Sequence, residues 1–212
     1  MIFVDGLQLE NAREPDFAYT TRNTNRITAD EILQTEFQLK DTITIPIRGN
    51  DRVFIVEHIR YYNNGTKQVY FVSKDILAKS TMMPEQMNST LDELEEGMPR
   101  KIVEMMEPIK HKRFGFKMVR KLNLLSSANT HGCNKHEGHD DILFDGFQTS
   151  VDLYKEYYRY PTWWWLCDLQ KPSSEIIEST LFNLANYTGG FTGYHASGYY
   201  GVVPVFSILC PS

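Results

Sequence analysis

Trp163-Trp164-Trp165-Leu166-Cys167 and Tyr200-Gly201-Val202-Val203-Pro204-Val205-Phe206 are the two stretches on which the fold is read. Both are short apolar runs rich in aromatic and β-branched residues, which pack well on a pleated, buried surface. Leu181-Phe182-Asn183-Leu184 reads as a third core strand, and Val202 to Leu209 as the final one. Gly189-Gly190, Gly193, Gly198 and Gly201 punctuate the chain between them into turns.

Upstream, the pattern is again that of strands. Thr42-Ile43-Thr44-Ile45-Pro46-Ile47 alternates polar and apolar residues, and Pro46, which cannot donate to a ladder, places it at a sheet edge. Arg52 to Ile59 and Gln68 to Val72 flank a loop holding Asn63-Asn64-Gly65, which predicts an antiparallel meander. Two helices are expected in the middle of the chain. Pro84 opens a segment ending near Gly97, and Pro99 then sits at a first turn, with Met98, Ile102, Met105, Met106 and Ile109 on one helix face. Such a methionine stripe is core material rather than a cofactor box. Phe147, Val151, Tyr154 and Tyr158 follow at similar spacing and must stop before Pro161. Strands, then helices, then strands predict an α+β domain over residues 41–212 whose two ends meet in one sheet.

Residues 1–40 read differently. Asn, Thr, Arg and Asp are frequent there and apolar residues sparse, which suggests an N-terminal arm or docking segment; an edge strand and loop of the same domain is the alternative. Thr28-Ala29-Asp30-Glu31 has the pattern of a capping box.

The chain has 212 residues, 42% hydrophobic and 23% charged, with a net charge of -5. That balance suits a globular domain and argues against nucleic acid, whose phosphates demand a basic face. A local basic cluster around His111-Lys112-Arg113 and Arg120-Lys121 reads as a solvated face. No apolar run approaches the roughly 20 residues of a membrane span, and the first residues lack the pattern of a secretory signal. No membrane insertion is expected. The three cysteines, Cys133, Cys167 and Cys210, are an odd and scattered set, so free thiols are expected.

Two stretches concentrate residues able to do chemistry. Cys133, His136 and His139, at three-residue steps, offer thiolate and imidazole donors for zinc, with His131 or Asp140 as a fourth ligand; a solvated polar loop accounts for the same residues. Zinc is the only cofactor the sequence suggests. Between Asn183 and Tyr200, the residues Asn183, Asn186, Tyr187, Phe191, Tyr194, His195, Tyr199 and Tyr200 alternate with Gly, Ser and Thr. Rigid amphipathic rings beside small adaptable hydrogen-bonding groups are the composition of a recognition surface, although core packing or an oligomer contact uses them too. Nucleophile elbow, phosphate loop and His-Glu-x-x-His patterns are missing, so no enzyme is expected. A Cys/His nucleophilic pair would have to be assembled from Cys167 or Cys210 with His195.

From Trp163 to Asp168 and from Tyr200 to Phe206, over a glycine turn, the chain resembles a domain family of gut bacteria and their phages. Its members end in a Trp-Trp-Leu-Arg-Ser-Pro-like strand followed by a Gly-Val-Arg-Pro-like strand. Val69 to Leu77 and Leu122 to Ser126 resemble earlier strands of that family, so the likeness covers about residues 40 to 212. The family looks related to the C-type-lectin-like fold of formylglycine-generating enzymes and of variable receptor-binding proteins. Cys167-Asp168 and Val203 depart from the family's Arg-Ser and Arg, and the Glu-Pro-Asn and Trp-Asn-Asp triplets of calcium lectins are missing. The resemblance implies a non-enzymatic virion protein of fibre, decoration or receptor-binding type. It would attach to other virion proteins through residues 1–40, form a homotrimer by analogy, and bind a host-surface glycan or protein. A bacterial binding module, cytoplasmic or at the cell surface, and a metal-dependent enzyme built on Cys133, His136 and His139 are the alternatives.

Overall fold

The computed structural model describes residues 26–110, 119–131, 143–147, 150–169, 181–186 and 191–211. In chain order its first elements are α1 (Ala29–Gln34), β1 (Thr42–Ile47), β2 (Asn50–Tyr61), β3 (Thr66–Ser73), β4 (Ala78–Ser80), α2 (Pro84–Glu96) and α3 (Arg100–Met105). Short strands follow: β5 (Met106–Glu107), β6 (Ile109–Lys110), β7 (Val119–Arg120) and β8 (Asn123–Leu124). Then come α4 (Ser127–His131), a 3-10 turn at Ser150–Leu153, β9 (Glu156–Tyr157), β10 (Tyr160–Pro161), β11 (Trp164–Leu169), β12 (Leu181–Ala185), β13 (Phe191–His195), β14 (Tyr200–Val202) and β15 (Pro204–Pro211). The protein is a mixed α+β molecule with mostly antiparallel sheets.

The first sheet runs β1-β2-β3-β15-β5, with β8 also paired to β15. The meander β1-β2-β3 forms as the alternation predicts, and Pro46 lies on the edge strand. The last strand inserts against β3 in an unbroken antiparallel register from Val205↔Val72 to Pro211↔Thr66. The two ends of the domain therefore share one sheet. The second sheet runs β13-β12-β11-β14-β4, with β11 and β14 parallel and its other pairs antiparallel.

Alternation sorts side chains between two core clusters. Val69 and Phe71 of β3, Phe206 and Ile208 of β15, and Trp165 of β11 enter the larger cluster with Met87 and Leu91 of α2. Tyr70 and Val72, Val205, Trp164 and Leu166, their neighbours in sequence, enter the other with Phe144, Phe147 and Leu153. Both faces of these strands are buried, which is why their sequences read as continuous apolar runs. Trp164 and Trp165 are fully buried, and each finds an acceptor for its indole N–H, at Leu153 O (3.0 Å) and Ser80 O (2.8 Å).

Three sequence expectations change. Residues 26–40 pack on the domain: Thr28 and Glu31 form the capping box, and Ala29, Ile32 and Phe37 join the larger core cluster. Only residues 1–25, outside the described residues, are left for an arm. The helix carrying the methionine stripe stops at Met105, where Met106 turns to extended backbone and pairs with Ile208. Ile109 lies in a strand. The second amphipathic helix is instead a 3-10 turn at Ser150–Leu153 followed by the β9–β10 hairpin, because Tyr158 (φ 51°) and Arg159 (φ 68°) take left-handed backbone that no α-helix contains.

Phe206 stacks on Phe71 (ring centroids 5.0 Å) and meets Phe54 edge-on (5.1 Å) at the centre of the first sheet. Replacing Phe206 with Ala is expected to cost about 3–5 kcal/mol, the range for truncating a buried Phe, read from the midpoint of urea unfolding.

Candidate functional site: a tyrosine ridge on an anchored hairpin

The residues singled out from the sequence divide into buried and exposed sets. Asn183 is buried in the middle of β12, opposite Gly193, so it belongs to the sheet and not to a loop. Asn186 follows the end of β12, half-buried. Tyr187 falls outside the described residues, and Phe191 opens β13. Tyr194 and His195 end β13 with exposed side chains, Tyr199 is 66% exposed, and Tyr200 is half-buried at the start of β14. Cys133, His136 and His139 lie outside the described residues, as do Asp140 and the cluster at His111; among the described residues no group of His, Cys, Asp and Glu could hold a metal ion. Cys167 and Cys210 are buried, one on β11 and one beside Lys67 in the first sheet, whereas His195 is exposed on the edge strand β13.

Ring contacts join the exposed set to the core. Tyr200 stacks on Trp163 (6.1 Å), meets buried Trp165 edge-on (5.2 Å) and meets Tyr194 edge-on (5.1 Å), and Tyr194 contacts His195. Burial, and then a hydrogen bond with Tyr194, raise the phenol of Tyr200 above its ordinary range. Gly198 makes the pair possible: a Cβ there would sit 2.6 Å from Tyr200 Cε2 and 2.7 Å from Tyr194 Cδ1.

The ridge continues onto the β9–β10 hairpin, where the spacing of Phe147, Val151, Tyr154 and Tyr158 predicts a helix. Burial raises the Tyr157 phenol, helped by Tyr158 and Tyr199, so the hairpin and the turn before β14 are electrostatic neighbours. Lys79 Nζ lies 5.0 Å above the Tyr157 ring. Tyr158 and Tyr160 are 77% and 74% exposed. Beside them, Arg52, Asp75, Ile76, Leu77, Glu156, Tyr157, Tyr158 and Arg159 line an open cleft of about 220 Å³. Aromatic rings with arginines beside a cleft are a composition suited to recognition.

A buried charge network holds the hairpin's base. Glu57, at a bulge in β2, is 1% exposed, and its carboxylate accepts from Lys40 Nζ at 2.8 Å. Lys40 also donates to Asp152 (2.9 Å), and the buried Lys155 donates to Ser73 O (3.1 Å). Desolvation pushes the Glu57 carboxyl up against the pull of Lys155 and Lys40, and it pushes the Lys155 amine down against the pull of Glu57. Desolvation is also the largest influence on Lys40, but Glu57 and Asp152 together outweigh it and raise its pKa. Gly146 has no room for a side chain, since a Cβ would lie 1.8 Å from Glu57 Oε2. Ile76 N–H donates to Glu156 O (2.9 Å), which ties the hairpin to the segment before β4, and Thr162 N–H donates to Lys155 O (3.2 Å), which closes the hairpin's own base. The signal for this network was Glu57-His58 inside the apolar run Val53 to Ile59, a charged pair where a strand should be apolar.

Compared with known protein families, with curated proteins and with solved structures, the chain matches none.

The two-residue turn Tyr158-Arg159 has both residues at positive φ, a hairpin geometry that normally selects Asn-Gly. Its strain, of order 1 kcal/mol per residue, is held by the anchored base and presents Tyr158 outward. Arg159→Gly is expected to raise stability by about 0.5–1 kcal/mol in urea unfolding, because glycine takes this backbone freely.

Proposed function

We propose that the protein is a non-enzymatic recognition protein of a phage particle, of fibre, decoration or receptor-binding type. In this reading a C-type-lectin-like fold presents the tyrosine ridge to a host-surface glycan or protein, and residues 1–25 attach the domain to other virion proteins. The observation that carries the reading is the run of ring contacts from buried Trp165 through Tyr200 to Tyr194 and His195, continued by exposed Tyr199, Tyr158 and Tyr160. Rings held by a core lose little conformational freedom on binding, and exposed aromatic surface is energetically useful only when a partner covers it. Their apolar faces suit sugar rings, and their hydroxyls suit the polar edges of a glycan or a protein. A homotrimer would repeat the ridge and multiply weak single contacts into avidity. The reading invokes no cofactor, no nucleic acid and no membrane insertion.

Tyr199→Ala and Tyr158→Ala are each expected to weaken binding of the purified protein to intact bacterial cells, or to an array of bacterial surface glycans, by about tenfold, the size of an aromatic hot spot. Both side chains are mostly exposed, so the melting temperature should stay at the parent value. Parent-level binding by both variants would remove the ridge as the recognition surface.

Removing residues 1–25 tests the attachment role separately. A cut at 40 would strip Ile32 and Phe37 from the core, so the shorter truncation is the informative one. The truncated chain should fold and bind as the parent but fail to enter particles; incorporation at the parent level refutes the role of this segment.

A further inference from the structure

A second cleft, distinct from the ridge, has the make-up of a site for a small organic anion. It measures about 480 Å³ and lies where the segment after α1 covers the end of the β2–β3 hairpin. Phe37, Leu39, Ile59 and Tyr61 give it apolar walls. Lys67 also lines it and is only 5% exposed.

Lys67 is placed by the sheet. It stands directly opposite Tyr61 on β2 and opposite Cys210 on β15, two steps along β3 from Val69 and on the same face. Neither neighbour is an anion, although Lys67 does draw down the Cys210 thiol, which burial pushes up more strongly. Among the described residues the Lys67 ammonium has no hydrogen-bond acceptor and no ion-pair partner. Burying an ammonium without a counter-charge is costly, and natural chains keep such a group where something else completes it. Lys40 and Lys155, the other sheltered lysines, each have protein acceptors.

We infer that the cleft binds a small organic monocarboxylate, its carboxylate on Lys67 Nζ and its apolar body between Phe37, Leu39, Ile59 and Tyr61. A volume of this size falls among small-molecule sites, which are mostly apolar with a few placed polar groups. One charge is the right number. Glu36 and Asp145 also line the cleft, and the Asp145 carboxylate already meets His58 Nδ1 at 3.0 Å. Glu36 and Asp145 on the same lining penalise each negative charge a ligand brings, so a dianion such as phosphate is disfavoured more than a monocarboxylate, whose one charge Lys67 can meet.

The test is titration calorimetry on the full chain with benzoate and hexanoate, their neutral amides benzamide and hexanamide, and inorganic phosphate. The acids should bind saturably and the amides about tenfold or more weaker, the difference one charge-assisted hydrogen bond makes. Phosphate should not bind. Lys67→Met, which keeps the stem and removes the charge, should reduce acid binding to the level of the amides and raise the melting temperature, as a lysine serving only structure would not. Acids binding no better than amides, no saturable acid binding at millimolar concentration, or unchanged acid binding in Lys67→Met each overturns the inference. The acid-to-amide comparison on the parent decides the matter even where the variant fails to fold.

Discussion

The pairing of β15 with β3 is the constraint from which the rest of the molecule follows. It joins residues more than a hundred positions apart, so its loop-closure entropy must be offset by what it buries. What it buries is substantial: Phe206 against Phe71 and Phe54 on one face, and Val205 beside Val72 and Tyr70 on the other. Only Val203 separates β15 from β14, so fixing β15 also fixes Gly201 against the Trp163 carbonyl (2.9 Å) and β14 against β4. Because β11 pairs with β14, the tryptophan strand enters register by the same step. The second sheet is thus positioned by the closing strand of the first.

The buried charges at Glu57 solve a different problem. Segments 35–41, 143–147 and 150–162 are short on long regular elements and must be held by side chains. Hydrophobic contact is undirected, whereas Lys40 bridging Glu57 and Asp152 specifies one arrangement of three separate stretches of chain. The Lys40 ammonium lies 5.9 Å from the centroid of the Phe147 ring, and His58 stacks on Phe144 at 5.2 Å while meeting Asp145, so the same segment is clasped twice. An apolar core of equal volume could be more stable, but it would not fix the direction in which the hairpin leaves the domain.

Much of this was legible in the sequence, and the failures have physical causes. Strands buried on both faces, such as Trp164–Leu169 and Pro204–Pro211, announce themselves by composition, and β1 by its alternation and its edge proline. The Thr28 capping box is local chemistry and was read correctly. The methionine stripe misled because helical spacing takes no account of the open edge of β15, which draws Met106 and Glu107 into the sheet. Pro108 was the available warning, since it bars Glu107 from helical backbone. Phe147, Val151, Tyr154 and Tyr158 mimicked a helix face, while Lys155 among them goes into the interior to meet Ser73. Of the candidate site, Tyr194, His195, Tyr199 and Tyr200 were found by composition. Tyr157, Tyr158 and Tyr160 joined them only through the fold, and Lys67 carried no local mark of its burial.

The twelve tyrosines and three tryptophans of the chain are one chemical resource divided by geometry. An indole has a single donor, and once Trp164 and Trp165 have satisfied theirs on Leu153 and Ser80 carbonyls they are free to be core. A phenol both donates and accepts, so a tyrosine is costly to seal completely and cheap to leave at a boundary. Tyr200 occupies that boundary, with its ring against Trp165 and its hydroxyl toward Tyr194. Through it the rigidity of the core reaches the exposed rings, at a position where Gly198 leaves just enough space for the two tyrosines to meet. Moving the ridge would require moving Trp165, and Trp165 is held by the strand pairing that closes the domain.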